Sequence, residues 1–155
     1  MFDDDKIFMR EALLEAKKAY AKEEVPVGAI LVHDSKIIAR AHNLVESLCD
    51  ASAHAELLCL KEGAKILGDW RLIDSTLYCT LEPCILCAGA LTLFRVKRLV
   101  YGAKDLRHGA HGSIVDVLSG EHPIHNSEIK SGVLALEAQE LMRSFFQERR
   151  EANVK

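Results

Sequence analysis

Long apolar runs are missing from this 155-residue sequence, and nothing approaches the roughly 20 consecutive apolar residues that a membrane-spanning helix needs. No membrane association is expected. Positive charge is missing from the first residues, Met1-Phe2-Asp3-Asp4-Asp5, where a secretory or organellar presequence would carry it, so a cytoplasmic location is expected. Glycine and proline number only 9 and 3, too few for a fibrous or disordered chain in which 49% of residues are hydrophobic. The five cysteines, at 49, 59, 79, 84 and 87, make no even-numbered disulfide framework; in a reducing compartment they read as thiols or metal ligands. A basic excess is also lacking, with 20 Lys and Arg against 23 Asp and Glu, which argues against an ordinary nucleic-acid binder. What is present is the composition of one compact domain over residues 1–155, with five Cys and seven His to be explained.

Periodicity supplies the elements. Met9, Leu13, Ala16 and Tyr20 recur at helical spacing between Asp5 and Glu24, where Pro26 forbids continuation. Two short apolar runs, Val27 to Val32 and Lys36 to Ala41, flank His33-Asp34-Ser35 as a hairpin. A polar stretch from His42 to Ala53 leads to a helix that starts at or just before His54 and stops near Gly68. Ser75 to Thr80 reads as a buried strand, Cys84 to Phe94 as an apolar helix opening after Pro83, and Val96 to Gly102 as another strand. The segment from Ala103 to Ser131 reads as loop, with one helical turn at Val115 to Leu118 and an extended piece near Ile129. A final helix covers Leu134 to Arg149. Strands alternating with helices imply an α/β fold, a mixed sheet covered on both faces in an α/β/α arrangement.

Two short segments have the grammar of a metal site: His54-Ala55-Glu56 and Pro83-Cys84-Ile85-Leu86-Cys87. A C-x-x-C at a helix start directs two sulfurs at one ion, and the helix dipole there favours thiolates. The motif alone is shared with redox centres and structural zinc knuckles. Taken singly, His54 also reads as a helix cap, Glu56 as a first-turn acid, and Cys84 and Cys87 as small buried hydrophobes. A closed structural site needs a fourth ligand, usually from a second closely spaced pair, which this chain lacks; His54, Cys84 and Cys87 leave a position open for water. Two thiolates neutralise the charge of Zn²⁺, so the water needs a nearby base, and Glu56 is placed to be one. Combined as H-x-E with P-C-x-x-C, these residues match the zinc-dependent nucleobase deaminases.

The resemblance extends along the chain. Glu24-Val25-Pro26-Val27-Gly28-Ala29, Asn43, Ala53-His54-Ala55-Glu56, Thr80-Leu81-Glu82-Pro83-Cys84, Cys87-Ala88-Gly89-Ala90, Tyr101-Gly102-Ala103-Lys104-Asp105 and Phe145-Phe146 resemble the bacterial tRNA adenosine deaminases. That resemblance implies a cytidine-deaminase-like fold with a central mixed sheet of about five strands. It implies a homodimer with one zinc per subunit, held by His54, Cys84 and Cys87, and Glu56 as proton shuttle. The implied substrate is the wobble adenosine of an arginine tRNA, with Asn43 on the base and Asp105 beside the flanking nucleotides. Val27, the backbone at Ala55, Lys104 and Arg107 are further expected substrate contacts. Two departures stand out. Asp50-Ala51-Ser52 replaces the family's Asp-Pro-Thr, which is expected to loosen the loop before the zinc helix, and Ile124-His125-Asn126 lacks an expected phosphate-binding arginine.

The charge balance fits RNA once position is considered. Arg95, Lys97, Arg98, Lys104 and Arg107 crowd one stretch against Asp105 alone, and Arg143, Arg149, Arg150 and Lys155 add to it near the end, forming an expected phosphate track. The same zinc site would also serve a deaminase of free guanine or cytosine, and a non-enzymatic zinc module would require the missing fourth ligand.

Overall fold

The computed structural model describes residues 3–153, so Met1, Phe2 and the tail cation Lys155 lie outside the described residues. The elements run α1 (Asp4–Ala21), β1 (Gly28–His33), β2 (Lys36–His42), α2 (Val45–Leu48), α3 (Ala55–Leu67), β3 (Ser75–Leu81), α4 (Ile85–Leu93), β4 (Arg98–Ala103), β5 (Glu128–Lys130) and α5 (Ala135–Asn153). The five strands form one sheet in the order β2-β1-β3-β4-β5. β1 is antiparallel to both β2 and β3, whereas β3, β4 and β5 are mutually parallel, so the sheet is mixed as expected.

The two-residue period of the strands separates two cores. Ala29, Leu31, Leu77, Cys79, Leu99 and Tyr101 point to one face and meet Cys59 and Leu60 of α3 and Leu91 of α4. Ile30, Val32, Tyr78 and Val100 point to the other and meet Met9 and Ala12 of α1. Ala138 of α5 packs with Leu13 and Ala103 on that second face. Gly28 is where α1 crosses β1 most closely: a Cβ there would collide with the Ala12 carbonyl and the Ala16 amide.

Asp5 clamps the second face. Its carboxylate accepts both Arg98 guanidinium N–H groups, the Lys130 ammonium and the Tyr78 hydroxyl, joining α1 to β3, β4 and β5. The Arg98 hydrogen bonds hold its pKa well below the ordinary carboxylate value. This stability is present above about pH 4, the unfolded-state value, and is lost as pH falls toward the depressed folded-state value. Asp5→Asn is expected to cost about 2 kcal/mol at neutral pH, because the carboxylate's charge-assisted hydrogen bonds from Arg98 and Tyr78 are weakened. It also flattens the dependence of unfolding free energy on pH below 4, which urea titrations at several pH values would measure.

Three sequence expectations need correction. α1 stops at Ala21, before Glu24, because Glu23 takes a left-handed conformation (φ 61°) and redirects the chain ahead of Pro26. The polar stretch contains the four-residue α2, which is too short to show a period. No helical turn forms at Val115 to Leu118; that segment is bent and held by a bridge between His111 and Asp116 and by the Val117 amide donating to the Ala110 carbonyl.

Candidate active site

Two helix N-termini build the site. His54 occupies the cap position of α3 and Cys84 that of α4, yet neither side chain makes a capping hydrogen bond. The first amide of α3, Ala55 N–H, donates to Asn43 Oδ1 at 3.0 Å. The His54 side chain turns to the cysteines, its Nδ1 3.4 Å from Cys84 Sγ and 3.6 Å from Cys87 Sγ. The three donor atoms lie within 4.8 Å of one another. Zinc–sulfur and zinc–nitrogen bonds at a tetrahedral angle place neighbouring S and N donors about 3.6 Å apart, so this donor set fits zinc. Cys59 and Cys79 are buried in the core and Cys49 is exposed, as non-ligands would be.

Glu56, in the first turn of α3, is only 4% exposed. Burial lifts its carboxyl to a pKa of about 7, the range in which a group can both accept and return a proton near neutral pH. The cysteines split in the absence of a cation. Cys84 is lowered by the hydrogen bond from Cys87 and by His54, while Cys87 is raised by the adjoining Cys84 sulfur and by burial. A divalent ion between them removes that asymmetry, because each thiolate then has a cationic partner.

A cavity of about 310 Å³ opens above these groups. Val27, Asn43, His54, Glu56, Cys84, Asp105 and Arg107 all line it. Asn43 is nearly buried, and with its Oδ1 taken by Ala55 its side-chain amide has no protein acceptor among the described residues. The Arg107 guanidinium lies 5.1 Å from the Phe146 ring centroid.

Other expected contacts are placed differently. The Ala55 amide is consumed by Asn43 and its side chain is fully buried, so it is not free for a substrate. Asp105 faces the cavity, but its Oδ1 accepts the amides of Arg107 and His108, which makes it the organiser of its own turn. Lys104 lies outside the cavity, in an adjoining groove with Arg107, Arg143 and Arg150. The basic stretch is therefore divided: Lys104 and Arg107 follow the end of β4 at the site, whereas Arg95, Lys97 and Arg98 precede it or begin it, a strand length away. Arg98 is moreover neutralised by Asp5. His111, His122 and His125 are engaged by Tyr101, by the turn at Ile124 and by the Val96 carbonyl, leaving His108 at the cavity. The Asp50 to Ser52 loop is not loosened, because Asp50 Oδ1 accepts both the Ser52 amide and hydroxyl.

Among the cavity residues to which sequence reasoning assigned no site role are Glu24, Glu82, Phe145 and Phe146. Glu24 is buried and receives the Glu46 and Ser47 amides and the Ser47 hydroxyl, so it anchors the N-terminus of α2. Its position ahead of Pro26 carried no signal for that contact, which joins residues far apart in the chain. The adjacent aromatics Phe145 and Phe146 bring α5 over the opening, a placement that helical periodicity alone does not reveal.

The cytidine and deoxycytidylate deaminase zinc-binding region matches residues 2–103. The tRNA-specific adenosine deaminase of Bacillus subtilis (strain 168) is 49% identical over 94% of this chain and 91% of its own length. The chloroplastic tRNA(adenine(34)) deaminase of Arabidopsis thaliana is 52% identical over 92% of this chain, which spans only 12% of that much longer protein. A structure solved in studies of A-to-I editing by tRNA:A34 deaminases superposes with a TM-score of 0.83 at 41% identity, covering 87% of this chain and 98% of that one. Matching over nearly its whole length, and carrying the His-Cys-Cys donor set beside a buried glutamate, the chain belongs to the tRNA-specific adenosine deaminases within the cytidine and deoxycytidylate deaminase zinc-binding family.

Proposed function

We propose that this protein deaminates the wobble adenosine of an arginine tRNA anticodon to inosine, as a single cytoplasmic deaminase domain with one zinc per subunit. The observation that carries the reading is the three-donor cluster beside buried Glu56, at the floor of a cavity rimmed by Arg107 and Arg149. The relatives' names supply the adenosine and the tRNA. Among the described residues no helix is long and apolar enough to cross a membrane.

His54, Cys84 and Cys87 would hold the zinc, which supplies Lewis acidity toward a water at the cavity floor. Glu56 accepts a proton from that water and delivers it to N1 of the adenine as the water oxygen bonds to C6. It then carries the second proton from the C6 hydroxyl to the amine. The C6–N bond breaks, ammonia departs, and C6 keeps a carbonyl oxygen. Asn43 presents its side-chain amide to the base, and Val27 forms an apolar wall. Loop bases of an anticodon are already partly unstacked, so bringing one into the cavity costs little. A second copy of the chain is the proposed partner, on the exposed face of α4 where Ile85, Leu86 and Leu93 are 63%, 44% and 68% exposed.

An anticodon stem-loop RNA with adenosine at the wobble position, assayed beside free adenine, guanine and cytosine, tests this reading. Inosine is expected in the RNA alone. Its rate of formation is expected to fall steeply with salt as the cationic rim loses its hold on phosphates. Ammonia release from a free base, with the RNA unchanged, would overturn the reading in favour of a nucleobase deaminase.

A further inference from the structure

Glu82 has no part in the proton transfers, yet it is a cavity residue only 2% exposed. Its carboxylate is saturated by one loop. Oε1 accepts the Asp105 amide at 3.1 Å and the Ser113 hydroxyl, while Oε2 accepts the His111 amide at 2.8 Å and the Ser113 amide at 3.4 Å. The loop leaves space for it: a Cβ on Gly109 would overlap the Glu82 carboxyl group. The same loop is fastened to the Pro83-Cys84 segment ahead of α4, with Gly109 bridged to Cys84 and the Ala110 amide donating to the Pro83 carbonyl. Tyr101 adds a bond from below, its hydroxyl 2.7 Å from His111 Nδ1. Between these fastenings the loop projects Asp105, Arg107 and His108 to the cavity.

We propose that Glu82 is a positioning residue that holds the loop from Asp105 to Ser113 in register with Cys84, so that Arg107 and His108 meet the nucleotides flanking the target base. This rests on the RNA reading above. Glu82 then governs how tightly RNA is held and leaves the chemical step to Glu56. Glutamine at 82 keeps the shape but replaces one acceptor oxygen with an NH₂ that faces N–H donors.

The test uses zinc-loaded wild type, Glu82→Gln and Ser113→Ala, with hydrogen exchange, metal content and steady-state kinetics on the stem-loop RNA. In Glu82→Gln the amides of Asp105, His111 and Ser113 are expected to exchange about tenfold faster, the loss of about one net hydrogen bond. KM is expected to rise about tenfold while kcat stays within about threefold and zinc content is unchanged. Ser113→Ala is expected to show the same pattern at smaller amplitude, and it carries the test if Glu82→Gln does not fold. Unchanged loop exchange, or zinc loss with a fall in kcat at constant KM, would overturn the proposal. If wild type leaves the RNA untouched, the substrate reading fails, and exchange still decides whether Glu82 holds the loop.

Discussion

Glu56→Gln is expected to keep the fold and the zinc while lowering turnover by about 10²- to 10⁴-fold, the usual contribution of a positioned acid–base group. Glutamine fills the same buried volume and retains a hydrogen-bonding end, but it cannot accept a proton and return it. The position tolerates a neutral side chain, since burial already raises the native carboxyl to about 7. That shift has its own consequence for the metal-free protein. The folded state binds the proton more tightly than the unfolded chain, whose glutamate titrates near 4.3, so stability falls as pH rises from about 4.3 to about 7. Glu56→Gln removes that slope. Single-turnover assays on the stem-loop, with metal analysis and unfolding curves of the metal-free proteins, check both parts; near-normal turnover would remove Glu56 from the mechanism.

Removal of either thiolate has the other large effect. Cys87→Ser is expected to abolish high-affinity zinc binding and reduce deamination to background, and chelation of the wild type should reproduce it. Without the metal, two sulfurs and an imidazole remain crowded within 4.8 Å, one thiol lowered and the other raised. Zinc at a thousandfold its Kd contributes about 4 kcal/mol to the folded state. For a chain of this size that corresponds to a rise of about 10 °C in Tm. The chelated wild type and Cys87→Ser should therefore melt together, well below the zinc-loaded protein. A melting curve and activity indifferent to chelation would show that these three residues are packing and not ligands.

The fold was legible wherever a period could express itself. The short apolar runs of β1, β3 and β4 announce strands buried on both faces, and the spacing of Met9, Leu13 and Ala16 announces α1. Strand order rested on resemblance, because periodicity does not say which strand lies beside which. The four residues of α2 were invisible for a different reason: they are helical because Glu24, from a distant part of the chain, takes their amide hydrogens. Within the site, His54, Glu56, Cys84 and Cys87 were readable because their chemistry demands fixed residue types at fixed local spacings. Glu82 and Ala55 were not. The work of Glu82 and the engagement of the Ala55 amide depend on backbone groups that only the folded chain brings to them. The run of basic residues misled in the same way, since β4 carries its two halves to opposite ends of a strand.

The most direct measurement is the fate of oxygen and nitrogen when the zinc-loaded protein processes the adenosine-containing stem-loop in ¹⁸O-labelled water. One ¹⁸O in each inosine formed and one ammonia released per inosine are the expected results, with free guanine and cytosine left intact. Unlabelled product, or ammonia drawn from a free base while the RNA keeps its adenosine, would contradict hydrolytic deamination of RNA at this site.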